Sequence, residues 1–228
     1  LNPLQRKEGV KSMNIAPEIE NRARRAAIAP DIFRELLSDL APQNRAAGQR
    51  GESFQALLWL CRNQPHLVYS HWDFFVSMLE SDNSFAIFNA VYIIAALIKH
   101  DADGKFDRIA ASFIGRLNHR TVMVSGHAAL NLGRIAAARP DLEPQITQAL
   151  LGAASAVPDR ERQDIFKGYI IEAFTEYYHL ARQPREIREF VRSQLNCANL
   201  KTSNLAREFF KDTRRRSPIN PENGGEIR

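Results

Sequence analysis

Eleven prolines divide this 228-residue chain, at positions 3, 17, 30, 42, 65, 140, 144, 158, 184, 218 and 221, with none between Pro65 and Pro140. Proline fixes its own φ and lacks a backbone donor, so it fits the first turn of a helix and breaks its interior. Pro17, Pro30, Pro65, Pro140, Pro158 and Pro184 each precede a stretch of helical periodicity, which makes each an expected helix start. The intervening segments predict helices over 17–29, 31–40, 50–63, 66–80, 84–100, 104–117, 121–138, 141–156, 159–182, 184–196 and 200–212. Asp82 or Asn83, Asn118 and Asn199 stand where a side-chain oxygen can cap a first turn. Alternating apolar and polar runs flanked by glycine turns are missing, so no strand is expected.

Helices joined by such short turns must pair as antiparallel hairpins. With the first helix of each pair aligned on Phe33, Phe74, Ile109, Ile146 and Phe190, the pairs recur at steps of 41, 35, 37 and 44 residues. Periods of this size mark helical arrays in which each hairpin buries its apolar face against the next. What recurs is helix, short polar turn, helix, with little residue identity between units.

The third hairpin carries the most specific pattern. Its turn, Leu117-Asn118-His119-Arg120, leads into V-S-G-H-A-A-L-N-L-G-R-I over 124–135. Val124, Ala128, Leu132 and Ile135 share one helical face, while Gly126, Ala129, Gly133 and Ala136 form a stripe of small residues. A glycine inside a helix costs about 1 kcal/mol relative to alanine, so close approach by a neighbouring helix is the expected compensation. The segment resembles the second helix of a HEAT repeat, V-R-x-x-A-x-x-x-L-G-x-I, with Ser125 in place of the usual basic residue. Looser matches are Ile87, Val91 and Ala95-Ala96 in the second hairpin, and Ile165, Tyr169 and Ala173 in the fourth.

The resemblance to the HEAT-repeat (armadillo-like) α-solenoid family implies an all-α fold, a right-handed α-α superhelix of about five degenerate hairpins. On this reading, residues 1–16 form a polar extension, 17–212 the repeat domain and 213–228 a disordered basic tail. HEAT-like solenoids present successive second helices on a concave face that holds a protein or peptide. The implied lining is Arg50, Ser53, Gln55, Ser84, Asn89, Ser125, His127, Arg162 and Lys201, near second-helix starts. Ordinary solvated helix surface is the competing reading for any one of these.

Motifs of chemistry are weaker. His71-Trp72-Asp73-Phe74-Phe75-Val76 is similar to the W-D-x-x-D segment of helical-repeat glycosylases that excise alkylated purines. Val76 stands where that family has its catalytic carboxylate, so a buried stripe of Trp72, Phe75, Val76 and Leu79 with Asp73 solvated is the expected arrangement. The six histidines lack ligand spacing, and Asp101-Ala102-Asp103-Gly104 departs from a calcium loop and reads as a turn. No nucleophile elbow, phosphate loop or dinucleotide fingerprint occurs. The paired carboxylates Glu161/Asp164 and Glu172/Glu176 read as helix surface, and Phe166, Tyr169, Phe174, Tyr177 and Tyr178 as mostly core, with one tyrosine of the series left to line a binding surface. No catalytic residue, cofactor or metal is assigned, and an enzyme is not expected.

The formal charge of +5 is unevenly placed. Residues 1–25 carry +3 and 211–228 carry +2, leaving 26–210 neutral. Within that neutral array, 63–103 is acidic at −4 and 104–140 basic at +5. The two could stabilise each other through surface pairs, or Arg116 and Arg120 with His119 could mark a cationic spot for an acidic partner.

Two cysteines, Cys61 and Cys197, cannot build a disulfide framework, and a reducing, cytoplasmic setting is the default expectation, although one bridge between them stays open. Leu1 to Asn14 lacks the apolar segment of a secretory signal, and the most apolar stretch, Phe85–Ile98, is too short to span a membrane. The sequence therefore leads to a non-catalytic scaffold or adaptor binding a protein or peptide, without membrane insertion. The alternative is a nucleic-acid-binding or DNA-alkylation-repair-like helical repeat protein, for which the pI near 9.4 and the basic ends argue.

Overall fold

Pro17, Pro30, Pro65 and Pro184 each occupy the first turn of a helix, as their missing N–H favours. The computed structural model describes residues 15–44, 47–157 and 159–216. Pro158, a predicted helix start, lies outside the described residues, as do most of the 1–16 extension and residues 217–228 of the tail. Pro140 precedes its helix by three residues, and Pro144 sits in that helix's first turn instead.

The described residues form twelve α-helices and no strand: α1 (Pro17–Ala26), α2 (Pro30–Leu40), α3 (Ala47–Asn63), α4 (Pro65–Tyr69), α5 (Trp72–Leu79), α6 (Ser84–Leu97), α7 (Lys105–Gly115), α8 (Val122–Ala138), α9 (Glu143–Ala153), α10 (Arg160–Tyr177), α11 (Pro184–Ser193) and α12 (Leu200–Arg216). Short 3₁₀ turns tighten the ends of α6, α7 and α10, at Ile98–His100, Arg116–Asn118 and Tyr178–Leu180. No helix among the described residues is long and apolar enough to cross a membrane.

Two predicted boundaries are corrected. The helix expected over 66–80 is broken into α4 and α5. Ser70 Oγ donates to the Leu67 carbonyl at 2.8 Å, and His71 takes φ −108° and ψ 25°, so local side-chain bonding displaces the helical ladder. The helix expected over 200–212 runs on to Arg216. Arginine is a good helix former.

Caps fix several entries. Asn83 Oδ1 accepts from the backbone N–H of Phe85 at 3.0 Å, and its Nδ2 donates to the Pro42 carbonyl at 2.8 Å, tying α6 to the turn after α2. Asn199 accepts from Thr202 N at 3.1 Å, and Asp159 from Arg162 N at 2.8 Å. Asn118 does not cap α8; Thr121 holds that position, and its own N–H donates to His119 Nδ1 at 3.2 Å. The Asp101–Gly104 segment is a turn, with Gly104 at φ +64°, and the Asp101 carboxylate accepts from Lys105 N and Phe106 N at 2.8 Å each.

Contacts run in a regular order. α3 packs on α6, α6 on α8, α8 on α10, and α10 on α12, while α2, α5, α7 and α11 lie against α3, α6, α8 and α12 respectively. α9 touches α8 and α11 and joins α10 through a buried triad, in which Thr147 Oγ1 lies 2.7 Å from both Glu143 Oε1 and the Tyr177 hydroxyl. Glu143 also accepts from Arg182 N at 3.2 Å, holding the start of α11.

The small-residue stripe of α8 does face a close neighbour. A Cβ added at Gly133 would lie 2.5 Å from the Ala173 carbonyl oxygen, and one at Gly126 would lie 2.4 Å from the Tyr169 ring. α8 and α10 approach closely only because these positions carry no side chain. Trp72, Phe75, Met78 and Leu79 are buried in α5, with Asp73 exposed. Met78 takes the place expected for Val76, which is half-buried.

Candidate functional site: an aromatic ladder across the second helices

The same contact order lines up half-buried rings on successive second helices. Phe54 of α3 lies 5.7 Å from Phe88 and 5.9 Å from Tyr92, both on α6, measured between ring centroids. Phe88 meets His127 of α8 edge-on at 4.8 Å, and His127 lies 5.1 Å from Tyr169 of α10. Lys201 at the start of α12 places its ammonium 5.4 Å from the Tyr169 centroid. These residues are exposed or partly exposed, whereas Phe166, Phe174 and Tyr177 of the same aromatic series are buried.

Polar groups lock the ladder. The Tyr92 hydroxyl and His127 Nδ1 are 2.8 Å apart. Burial holds the His127 pKa below its usual 6.5, and the nearby Arg134 and Lys201 charges push it further down. Burial raises the Tyr92 phenol pKa, against the opposing effect of Arg134. Both groups are therefore neutral near pH 7, and Tyr92 is assigned as donor to Nδ1 with the imidazole proton on Nε2.

Arg134 covers the other side. Its guanidinium carbon sits 5.3 Å from the Tyr92 centroid, and Nη1 donates to Asn131 Oδ1 at 2.9 Å. Asn131 in turn donates to the His127 carbonyl at 2.8 Å. Arg134 Nε is buried without an acceptor, and among the described residues no carboxylate pairs with this side chain. The nearest compensation along the ladder is Glu172, 3.9 Å from the Lys201 ammonium.

Of the residues predicted to line a face, His127 and Lys201 belong to this ladder, and Arg50 lies beside it with its guanidinium 5.6 Å from the exposed Phe85 ring. Arg50 also donates to the Asn44 carbonyl. Gln55 and Ser84 are partly exposed, and Arg162 is exposed. Ser53, Asn89 and Ser125 are buried, at 0%, 4% and 2% exposure, and cannot line an open face. Ser53 accepts from Arg22 Nη1 at 2.9 Å and donates to Asp39 at 2.6 Å, which makes it a structural link from α1 to α2 and α3. Ser125 returns its hydroxyl to the Thr121 carbonyl, and Asn89 Nδ2 is buried without an acceptor.

Arg116 and Arg120 lie in the turn between α7 and α8. Arg116 spends its donors on the Ser112 and Leu79 carbonyls at 3.2 and 3.3 Å, so it braces the turn, while Arg120 is exposed. Among the described residues no ion pair joins the acids of 63–103 to the bases of 104–140; Arg139 pairs instead with Asp107 and Asp141.

Sequence reasoning passed over Phe54, Phe88, Tyr92 and Arg134, and read Glu172 as helix surface. The signal available was an aromatic or histidine in the early turns of each of four consecutive second helices. Cys61 is a buried free thiol and Cys197 a half-buried one, so the bridge left open is not formed. Among the described residues no three His, Cys, Asp or Glu side chains converge as a metal ion requires. Comparison of the chain with protein-family models, with curated proteins and with solved structures finds no match.

Proposed function

We propose that the protein is a non-catalytic binding module in which a polypeptide segment lies along the Phe54–Phe88–Tyr92–His127–Tyr169 ladder. The observation that carries this reading is the ladder itself, five partly exposed rings contributed by four successive second helices. Solvent-exposed aromatics in a continuous row, bordered by polar groups, mark association surfaces.

A HEAT-like superhelix is the architecture that goes with it. The V-S-G-H-A-A-L-N-L-G-R-I pattern and the order of helix contacts support that assignment. Rings on α6, α8 and α10 approach within 4.8–5.1 Å, whereas packed helix axes stand about 8–10 Å apart. Side chains converging on one side of a row of helices favour a row that curves inward there. The free thiols suit the reducing, cytoplasmic setting that accompanies a scaffold role.

The nucleic-acid reading has cations beside rings in its favour, since single strands stack on aromatics within basic grooves. It is the weaker one. Arg134 and Lys201 already cover faces of Tyr92 and Tyr169, which leaves those faces closed to a base.

A photo-cross-linking amino acid placed at Gln55 or Ser84, with exposed Gln145 on α9 as the comparison, tests the proposal. Polypeptide adducts should form at the ladder-side positions and not at Gln145. Equal labelling at all three, or none at the first two, would remove the ladder as a binding face.

A further inference from the structure

We infer that the segment held by the ladder is acidic, an extended stretch whose carboxylates are received by Arg134 and Lys201 between the ring edges of Tyr92, His127 and Tyr169. The inference rests on the binding reading above and specifies its chemistry.

Three observations carry it. Arg134 has one amide acceptor and no carboxylate partner among the described residues, although the side chain is only partly buried and its charge lies over Tyr92. A partly buried guanidinium is normally balanced by an anion, and a planar carboxylate matches its fork. Lys201 is widely exposed, and among the described residues its one acidic partner is Glu172 at the long distance of 3.9 Å.

The second observation is the orientation of the rings. An aromatic ring is negative on its faces and positive at its edge. Arg134 and Lys201 each take one face of Tyr92 and Tyr169, so that the cations and the ring edges beside them favour an anion over a cation. His127 adds a donor, since its Nδ1 is taken by Tyr92 and its proton sits on Nε2.

The third is length. Consecutive ladder contacts of 5.7, 4.8, 5.1 and 5.4 Å lead from Phe54 to Lys201, a path that about six residues of extended chain cover at ~3.3 Å each. Such a segment can set alternate acidic side chains toward the two cations and apolar ones toward Phe54 and Phe88.

The test uses the full chain and fluorescence anisotropy. The probe is a dye-labelled, C-terminally amidated peptide of about seven residues with Phe at its first and third positions, Glu at its fifth and seventh, and Ser between, which sets all four on one face of an extended chain. Gln and Lys versions of the same peptide, and a labelled oligothymidylate, are measured beside it. The Glu peptide should bind best, the Gln peptide more weakly, and the Lys peptide least, with affinity falling as salt rises. Arg134→Gln and Lys201→Gln should each weaken the Glu peptide about tenfold, the size of losing one charge-assisted contact. Lys105→Gln, which removes a cation lying over Tyr69 away from the ladder, should leave binding unchanged.

Lys201 is exposed, so its variant keeps the test decisive even if Arg134→Gln unfolds the protein. Equal binding of Glu and Gln peptides, or indifference to both substitutions, would overturn the acidic assignment. If binding then still required Tyr169, the ladder itself would stand as a binding face. Preference for the oligothymidylate, or no binding by any peptide, would overturn the inference outright, leaving the cross-linking result to decide the face independently.

Discussion

Tyr92 and His127, 35 residues apart, join α6 to α8 through a 2.8 Å hydrogen bond whose imidazole is neutral near pH 7. A histidine with its folded pKa below the unfolded value binds fewer protons folded than unfolded in the interval between the two. Stability therefore rises with pH through that interval and falls as pH drops below about 6.5. His119 shifts in the same direction, chiefly through burial, and contributes to the same trend. Thermal melts from pH 7.5 to 5.5 should show a falling Tm, and His127→Gln should flatten the slope without abolishing it (working range ~pH 5–8). A slope that His127→Gln leaves untouched would assign the effect to His119 or elsewhere.

Gly133 and Gly51 should respond oppositely to alanine. Alanine is the better helix former by about 1 kcal/mol. At Gly51 a new Cβ meets nothing within 4 Å, so Gly51→Ala should stabilise by up to that amount. At Gly133 it would press on the Ala173 backbone at 2.5 Å, and Gly133→Ala should destabilise by ~1–3 kcal/mol, with Gly133→Leu worse. Urea denaturation midpoints check both signs, and an unchanged Gly133→Leu protein would refute the close packing of α8 on α10.

Two ion pairs near the N-terminus should differ in worth. Arg22 reaches Asp39 at 2.9 Å, and the Asp39 side chain is only 11% exposed. Asp39→Ala leaves Arg22 and Ser53 short of an acceptor and should cost ~1.5–3 kcal/mol. The pair Arg34–Asp31 is open to water at both ends, and Arg34→Ala should shift stability by less than about 0.5 kcal/mol. Calorimetry on the two variants gives the ranking.

In the buried triad the middle residue should matter most. Tyr177→Phe removes one partner from Thr147 and should cost ~0.5–1.5 kcal/mol. Thr147→Val strips a donor from the Glu143 carboxylate and a partner from Tyr177 at once, and should cost more. Equal effects in chemical denaturation would show that Glu143 draws its satisfaction from the Arg182 N–H alone.

Burial drives the Cys61 thiol pKa far above its ordinary value, and also raises that of the half-buried Cys197. The thiolate is the reactive form. A disulfide reagent applied to the folded protein should label Cys197 well before Cys61, read by peptide mass spectrometry. Labelling of Cys61 at the same rate would mean that α3 opens readily.

Much of the helix plan was legible because its signals are local. A proline in the first turn, an Asn83 or Asn199 cap and the Gly126/Gly133 stripe each act within one helix or turn. The Ser70–His71 break was not, since Ser70 is a common surface residue until its hydroxyl turns back on Leu67. Ser53 illustrates the deeper difficulty. Its burial depends on Arg22 and Asp39, 31 and 14 residues away, and nothing in its own neighbourhood announces them. The ladder escaped for the same reason, because Phe88, His127 and Tyr169 meet only when three helices lie side by side.

The cross-helix ties share a short reach along the chain. Thr147–Tyr177, Arg22–Ser53, Tyr92–His127 and Asn83–Pro42 span 30, 31, 35 and 41 residues. A chain tied this way closes only small loops as it folds, so each hairpin can form on the one before it without waiting for a distant partner. Unfolding should begin at either end and travel inward, with the α8–α10 contact the last to open. The amides of α8 should then exchange with solvent most slowly, and those of α1 and α12 fastest.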